Sequence, residues 1–425
     1  MAKAIAVMLV SLILLGMSGC SQTAAGQVMR SDKPRDTSVA ISKTDLEILA
    51  GGNNTFAFDL YQTLRDSEGN LFYSPYSISS ALAMTYAGAR GETEKNIAQA
   101  LSFRLPQERL HPGFNSLDLQ LKQRGKGAKG KDGEGFRLNV VNAIWAQKDY
   151  RFLDAFLDIL AQNYGAGLRV LDFVKETERS RSTINDWVSA QTEQKIKELV
   201  PQGAMNPLTR LVLTNAIYFN AAWQYPFNEK ATSSSNFHTL DGKIVIGPMM
   251  RQTRSFGYAA SESYQAVELP YDGAELSMVI LLPRPGQFTT FQSSLNALAL
   301  KEIIASLRSR QVDLTMPKFQ YESSLSLKKA LTALGMGSAF TENADFSGMD
   351  GKRDLLIQDV LHKAFIAADE AGTEAAAATA VIVGVTSLPP EPVEVKIDRP
   401  FIFVIRDIPT GSTLFVGRVL DPTAK

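Results

Sequence analysis

The segment Glu370-Ala-Gly-Thr-Glu-Ala-Ala-Ala-Ala-Thr-Ala-Val-Ile-Val-Gly-Val-Thr-Ser-Leu-Pro-Pro390 is compatible with two local structures. A glutamate followed by a run of alanines favours a helix on the surface of the protein. Gly372 and Thr373 stand before that run, and the branched residues 381–383 follow it, which favours a strand. The strand interpretation fits the whole segment better.

Alternate side chains of a strand share one face, so the segment divides into two sets. One face carries only small or apolar residues: Thr373, Ala375, Ala377, Thr379, Val381 and Val383. The charged Glu374 falls on the opposite face, with Ala376, Ala378 and Ala380. The segment can therefore enter a sheet without burying an unpaired charge, which would cost several kcal/mol.

Outside this segment, helical patterns dominate the first half of the chain and strand patterns the second half. Phe56, Leu60 and Leu64 have helical spacing. Residues 211–219 and 278–282 are nearly continuous apolar runs, as in strands covered on both faces. No linker or internal repeat interrupts the chain from about Thr44 onward. This order predicts a single α+β domain with large mixed sheets.

The composition excludes several classes of function. The 425 residues carry 44 acidic and 44 basic groups, so no global charge favours nucleic acid. His111, His238 and His362 are the only histidines and lie far apart in sequence, which argues against a metal site. Neither a G-x-S-x-G nor an H-E-x-x-H motif is present. We predict no catalytic activity, no metal and no cofactor.

The N-terminus predicts export. Lys3 precedes an apolar run at residues 4–15, which is too short for a membrane span, and small residues then lead to Cys20. This context resembles the lipobox of bacterial lipoproteins. We predict a signal peptide at residues 1–19, acylated Cys20, and a flexible polar tether over residues 20–43. Simple secretion and an uncleaved anchor are the alternatives, so the protein would be on the cell envelope or extracellular.

Residues 122–135 are rich in Lys, Arg and Gly. Their glycine spacing approaches that of a phosphate-binding loop, but Asp132 stands where Ser or Thr would bind magnesium. The remaining interpretations are a solvated surface loop, which is favoured, and a patch that binds a polyanion.

From about residue 54 to residue 419, motifs of one family follow one another in family order. They are Asn70-Leu-Phe-Tyr-Ser-Pro-Tyr-Ser77, Ala81-Leu-Ala-Met-Thr-Tyr-Ala-Gly-Ala-Arg-Gly91, Leu213-Thr-Asn-Ala-Ile-Tyr-Phe219, Val267-Glu-Leu-Pro-Tyr271, Arg399-Pro-Phe-Ile-Phe403 and Gly417-Arg-Val419. The chain resembles the serpins. The resemblance implies one domain over residues 44–425, with three β-sheets, eight to nine helices and an exposed reactive loop at residues 370–390.

The resemblance also implies a mechanism. A serpin is a suicide inhibitor of serine peptidases, with cysteine peptidases as a second class of target. The peptidase forms an acyl-enzyme on the loop, and the loop then inserts into the main sheet and traps that covalent complex. The implied protein is a monomer that binds no nucleic acid and meets a membrane only through its N-terminal lipid. A serpin without inhibitory activity, acting as a carrier, is the alternative.

Residue roles follow from the same resemblance. Counting Glu370 as the first residue, the seventeenth is Thr386, so the reactive bond is Thr386–Ser387, with Val385 as the alternative. These small side chains suit elastase-like or subtilisin-like peptidases. The hinge that starts insertion comprises Glu370, Gly372, Thr373, Glu374, Ala375, Ala376, Ala377, Ala378 and Thr379. The shutter, which lies under the strands that separate, would comprise Ser74, Ser77, Asn215 and His362. Trp223 would lie at the breach, where insertion begins, and Lys318 would form a salt bridge with Glu370 at the base of the loop.

Overall fold

The computed structural model describes residues 26–126, 128, 136–373 and 391–424. Within these residues the chain forms an α+β domain with ten α-helices, close to the expected eight or nine. They are α1 (Lys43–Leu64), α2 (Pro75–Tyr86), α3 (Gly91–Ala100), α4 (Gln107–Leu121), α5 (Asp154–Ile159), α6 (Thr177–Gln191), α7 (Phe288–Ser294), α8 (Ala297–Ser306), α9 (Lys328–Leu331) and α10 (Ser347–Asp350). A π-helical turn, Leu160–Tyr164, extends α5.

Sixteen strands are described. They are β1 (Gln27–Met29), β2 (Leu71–Tyr73), β3 (Arg137–Gln147), β4 (Leu168–Leu171), β5 (Leu211–Ala222), β6 (Ser233–His238), β7 (Ile244–Ala260), β8 (Tyr264–Pro270), β9 (Leu276–Pro283), β10 (Arg308–Pro317), β11 (Phe319–Ser326), β12 (Ile357–Ala368), β13 (Gly372–Thr373), β14 (Val393–Lys396), β15 (Phe401–Asp407) and β16 (Thr413–Val419). The apolar runs 211–219 and 278–282 lie within β5 and β9, as predicted.

The main sheet has seven strands in the order β1-β4-β3-β5-β13-β12-β11. Along most of its length β5 pairs in parallel with β12, from Leu211 beside Ile357 to Tyr218 beside Phe365. The two-residue strand β13 lies between β5 and β12 at one end of the sheet. The candidate site lies at this end of the sheet.

The remaining strands form one nine-stranded sheet rather than two. Its path is β14-β10-β7-β8-β9-β15-β16-β2, with β6 paired to β7. The reason is the length of β7, which pairs with β6 over its first residues, with β10 from Met249 to Tyr258 and with β8 over its last residues. The resemblance implied three sheets, and two of them are therefore joined into one sheet through β7.

The two faces of β5 contact different parts of the core. Leu213, Ile217 and Ala221 belong to the main hydrophobic core, which also contains the apolar residues of α1 and α2. Val212 and Ala216 face the smaller cluster formed with α6. A strand inserted beside β5 would therefore contact a different apolar cluster on each face.

The prediction of a flexible tether as far as residue 43 is wrong for residues 27–36. Gln27–Met29 pairs antiparallel with β4, and Arg35 pairs with Asp118 of α4. The segment is polar, as its sequence indicates, but its backbone and charged groups find partners on the domain. Lys43, assigned to the tether, is the first residue of α1, which Ser42 caps by accepting a hydrogen bond from the Asp45 N–H.

Part of the basic segment 122–135 is also integrated into the fold. The Arg124 guanidinium bonds the buried Asp407 at 2.7 Å and Glu275 at 3.4 Å. Arg124 is therefore not part of a solvated face, because its charge is paired in a largely buried position. Residues 127 and 129–135 lie outside the described residues.

No helix of the described ranges is both long enough and apolar enough to span a bilayer.

Candidate functional site

The site begins where the hinge enters the main sheet. Gly372 pairs with Ala222 and Thr373 with Ala221 of β5, while Thr373 also pairs with Ala368 of β12. A side chain at position 372 would place its Cβ 2.2 Å from the Ala221 carbonyl oxygen. Glycine is needed here for close approach of two backbones. Two hinge residues, Gly372 and Thr373, thus already form a strand between β5 and β12.

Thr373 is fully buried, and its hydroxyl lies 2.8 Å from the Tyr271 hydroxyl. The Tyr271 ring stacks on Trp223, with centroids 4.6 Å apart and planes 9° from parallel. Burial raises the pKa of Tyr271, so its hydroxyl stays protonated and able to donate. Trp223, assigned to the breach, therefore supports the residue that receives Thr373.

A tight turn connects β12 to the hinge. Asp369 Oδ1 accepts hydrogen bonds from the N–H groups of Ala371 and Gly372, at 2.9 and 3.2 Å. The Trp223 indole N–H donates to the Asp369 carbonyl at 2.9 Å. Sequence reasoning assigned no role to Asp369, although an aspartate two residues before Ala371 is typical of such turns. This turn fixes the direction in which the chain leaves β12.

Glu370 and Lys318 form the predicted ion pair at the base of the loop, with Nζ and Oε2 2.6 Å apart. The Thr232 hydroxyl donates to the other carboxylate oxygen at 2.7 Å. Burial alone would raise the pKa of Glu370, but the hydrogen bonds from Lys318 and Thr232 outweigh it and lower that pKa. The carboxylate is held ionised beside the breach.

A second cluster of polar groups lies deeper in the sheet, where β5 and β12 pair directly. Asn215 of β5 and His362 of β12 lie opposite each other, and the His362 Nδ1 contacts the Asn215 side-chain oxygen. The Asn215 side-chain amide donates to the Ser77 hydroxyl at 2.5 Å. The Ser74 N–H faces His362 Nε2 at 3.3 Å. The four residues predicted for the shutter therefore come together.

Sequence reasoning missed one member of this cluster, Asn142 of β3. It pairs opposite Asn215, and the Asn215 amide also donates to its side-chain oxygen. Its own amide faces the Ser77 carbonyl at 3.3 Å. The sequence pattern that could have indicated this role is an asparagine within the largely apolar segment of β3, where burial of an unpaired polar side chain would cost free energy.

One protonation state of His362 satisfies both of its neighbours. Its Nε2 accepts from the Ser74 N–H, so Nδ1 must carry the proton and donate to Asn215. Burial lowers the pKa of His362 to about 3, which keeps the ring neutral. A second proton, bound at Nε2, would place two hydrogen-bond donors opposite each other, the ring N–H and the Ser74 N–H. Uptake of that proton would therefore break the contact that ties α2 to β12.

Several predicted site residues lie outside the described residues. They are Glu374, Ala375, Ala376, Ala377, Ala378, Thr379, Val385, Thr386, Ser387 and Cys20.

The described residues thus bring together a buried glycine-threonine strand between β5 and β12, an ion pair at its base and a polar cluster beneath it, as the resemblance to serpins implied. Comparison with known proteins agrees: residues 51–422 match the family model described as serpin (serine protease inhibitor). The chain belongs to the serpin family, whose members are inhibitors of serine proteases rather than enzymes.

Relatives match over nearly their whole length. A serpin-like protein of Thermococcus kodakarensis is 37% identical over 98% of both chains. The leukocyte elastase inhibitor of Bos taurus is 40% identical over 89% of this chain and all of its own. Among solved structures, the thermophilic serpin tengpin in its native state has a TM-score of 0.80 at 27% identity, covering 92% of this chain and 97% of its own. Serpin48 of Tenebrio molitor has a TM-score of 0.78 at 31% identity, covering 88% and 98%.

The neutral state of His362 predicts a specific pH dependence of stability. In the native state the pKa of His362 is about 3, below the ordinary value of 6.5. As the pH falls below 6.5, the unfolded chain therefore binds a proton at this ring that the native state does not bind. Stability should therefore decrease by about 2 kcal/mol between pH 7.5 and pH 5 through this residue alone. His362→Gln should remove that part of the pH dependence.

Urea unfolding of the wild type and of His362→Gln at both pH values measures the difference. His238→Gln serves as the control, because His238 is exposed on β6. Parallel pH dependence in the wild type and His362→Gln would contradict the assignment.

Proposed function

We propose that this chain is a suicide inhibitor of serine peptidases, with cysteine peptidases as a second target class, and that its cleaved loop becomes a strand between β5 and β12. One observation carries the proposal: Thr373 is already paired with both of these strands. The remaining loop can continue the same pairing once cleavage frees its far end.

The register of this pairing predicts where the loop would lie. Six residues beyond Thr373, antiparallel pairing brings Thr379 opposite Asn215 on one side and His362 on the other. Both partners belong to the buried polar cluster that closes the sheet. The Thr379 hydroxyl can both donate and accept, so it would replace hydrogen bonds that Asn215 and His362 lose when β5 and β12 separate.

The two faces of the inserted strand follow from the same register. Thr373 lies opposite Ala221, whose side chain is in the main core. Residues 375, 377 and 379 would then face this core, and all three are small. Glu374 would face the other side of the sheet. The charge that the loop carries is thus kept out of the main core, which supports insertion over the carrier alternative.

In the chemical step, the peptidase nucleophile attacks the carbonyl carbon of Thr386 and forms an ester, or a thioester for a cysteine peptidase. The Thr386–Ser387 peptide bond breaks, and the Ser387 amine leaves with a proton from the peptidase's general acid. Insertion then competes with hydrolysis of the acyl bond. No side chain of the inhibitor acts as a catalyst.

The loop sequence suggests the target class. Val385 and Thr386 are small, and no Lys or Arg occurs between Lys363 and Lys396. Trypsin-like pockets need a cation, whereas elastase-like and subtilisin-like pockets accept small side chains. The names of several relatives, leukocyte elastase inhibitors, point in the same direction.

The direct test mixes the protein with pancreatic elastase and separates the products on a denaturing gel. The proposal predicts a band at the summed mass that survives SDS, and no such band with trypsin. Cleaved inhibitor with fully active elastase would indicate a substrate-like carrier, and efficient complex formation with trypsin would refute the assigned bond.

Two hinge variants test the mechanism. Thr373→Arg would force a guanidinium against Tyr271 in the main core without a partner, so the variant hinge should leave the sheet in the native state. Insertion of the cleaved loop would then have to bury this charge first, at a cost of several kcal/mol. Each 1.4 kcal/mol slows insertion about tenfold, while hydrolysis of the acyl bond is unchanged. Thr373→Arg should therefore be cut at the same bond and release active elastase.

Glu374→Arg is the matched control, because the same side chain is placed on the opposite face. It should remain largely inhibitory, as measured by the stoichiometry of inhibition against elastase. Equal losses in both variants would contradict the assignment of faces.

We also propose that the protein is a monomeric lipoprotein of the cell envelope, held through Cys20. Strand β1 pairs with β4 near the end of the main sheet that is far from the hinge. From Asn220 beside the hinge to Leu211 at this far end, nine residues of β5 span about 30 Å. An anchor before β1 would therefore leave the loop base directed away from the lipid surface.

Cys20→Ala tests the anchor by cell fractionation and incorporation of labelled fatty acid. Cys20→Ala should release the protein or leave an unprocessed precursor, because the thiol is the group that is acylated. Ser21→Ala, a change beside it, should leave both readouts unaltered. A wild-type protein that is soluble, cut after Gly19 and unlipidated would refute the anchor.

A further inference from the structure

A cleft of about 590 Å³ lies between three connections of the nine-stranded sheet. It is formed by the β6–β7 turn at residues 238–240, the β9–α7 connection within residues 283–289 and the β14–β15 connection at residues 398–400. Thr232, which bonds Glu370 at the hinge, precedes β6, and the cleft lies at the far end of β6, about 20 Å along the strand. The cleft is therefore separate from the hinge, and its volume is that of a site for a small organic molecule.

Arg399 supplies one cation to the cleft, and its guanidinium is held in place. Its Nε donates to the Pro283 carbonyl at 2.9 Å and its Nη1 to Asp398 Oδ1 at 3.1 Å. The side chain is only 19% exposed. Within the described ranges no group accepts a hydrogen bond from its Nη2. Nη2 therefore remains able to donate to a ligand.

Arg284 supplies a second cation from the β9–α7 connection. Its Nε and Nη2 donate to the Ser261 carbonyl at 3.4 and 3.2 Å, and its Nη1 has no acceptor among the residues that the structure describes. Burial lowers the pKa of Arg399, and the charge of Arg284 acts in the same direction. The two guanidiniums are therefore near enough to repel each other.

The charges around the cleft do not balance. Asp398 is the one acid among the described residues that line it, and its carboxylate is shared between Arg399 at 3.1 Å and Lys396 at 3.6 Å. Arg284 has no carboxylate to itself. An anion bound between Arg284 and Arg399 would offset this excess of positive charge. The two oxygens of a carboxylate match the two unused donors, one on each guanidinium.

Much of the remaining lining is apolar. Pro283, Phe288 and Pro400 are buried side chains of the cleft wall. Leu240 also lines the cleft, but its side chain is 49% exposed. A cleft that combines an apolar wall with a few placed charged groups is typical of sites for amphiphilic ligands.

The apolar surface continues beyond the cleft along the start of β7. Ile244 lies opposite His238, a lining residue, and is 55% exposed. Side chains that lie opposite each other in a pair of strands share one face, so Ile244 borders the cleft. Ile246, two residues further on the same face, is 69% exposed. Exposed apolar side chains grouped beside a cleft indicate a binding surface.

We propose that this cleft binds a single-chain amphiphilic carboxylate. The carboxylate lies between Arg284 and Arg399, and the hydrocarbon chain crosses Leu240 toward Ile244. The unused guanidinium donors bind the head group, and burial of the chain tightens binding by at most about fourfold for each methylene. The site goes beyond the proposed inhibition and does not depend on insertion of the loop.

The test is calorimetric titration of the full chain with sodium dodecanoate, below the concentration at which it forms micelles. One molecule should bind per chain, and octanoate should bind more weakly because its chain is shorter. Dodecyltrimethylammonium, which has the same chain and a cationic head, should bind at least about tenfold more weakly, because two guanidiniums repel it.

Two variants with matched controls locate the ligand. Arg284→Gln should weaken dodecanoate binding about tenfold, since a charge-assisted hydrogen bond is lost. Arg210→Gln is its control, because Arg210 also donates only to backbone carbonyls, those of Pro207 and Thr209, and lies outside the cleft. It should bind dodecanoate as the wild type does.

Leu240→Ser should weaken dodecanoate binding about threefold, since the chain loses an apolar contact. Leu298→Ser, the same change at an exposed leucine of α8, should have no effect.

Absence of saturable dodecanoate binding, or equal affinity for the cationic amphiphile, would overturn the site. Equal affinity of Arg284→Gln and the wild type would also overturn it, and unchanged binding by Leu240→Ser would overturn the path of the chain. None of these results would affect the proposed inhibition, because complex formation with elastase is measured without the amphiphile.

Discussion

The buried pair of Asn215 and His362 is the interaction on which the rest of the structure depends. It joins β5 and β12 where the inserted strand would have to pass, and it connects both to α2 through Ser77 and Ser74. Buried polar groups are costly when unpaired, so this cluster opposes opening until another polar group can replace the lost bonds. On the proposed insertion mechanism, the closed sheet with its hydrogen-bonded seam is therefore a barrier rather than the most stable arrangement of the chain.

On the same proposal, the breach, where Thr373 enters the main sheet, lowers this barrier at one end of the sheet. Thr373 is already inserted and bound by Tyr271, while Asp369 and the Lys318–Glu370 pair fix the turn behind it. Entry of further residues therefore starts from a formed strand rather than from a free loop. A partly inserted hinge at one end of the sheet is thus opposed by the hydrogen bonds of the polar cluster deeper in the sheet.

Much of the site could be predicted from the sequence because its residues lie in motifs characteristic of the serpin family. The alternation of small residues from Thr373 to Val383 indicates a strand with an uncharged face, and the resemblance assigned Ser74, Ser77, Asn215 and His362, which the fold brings into contact. Asn142 and Asp369 could not be assigned, because their roles depend on which strand lies opposite and on a turn geometry that spacing does not reveal. The prediction of a flexible tether was wrong for residues 27–36 for a related reason. A polar segment indicates solvent exposure only when no neighbouring edge strand or helix offers partners, and those partners are distant in sequence.

The measurement that tests the central claim most directly is the thermal unfolding of the intact chain and of the chain nicked in its loop by elastase. If the loop is withheld from the main sheet, nicking lets it insert, and about ten new residues of strand pairing should raise the melting temperature by about 15 °C or more. The account predicts this rise. It also predicts that the nicked chain no longer takes up a synthetic peptide of residues 373–384, since the position between β5 and β12 is then filled. An unchanged or lower melting temperature after complete nicking would show that the loop does not enter the sheet.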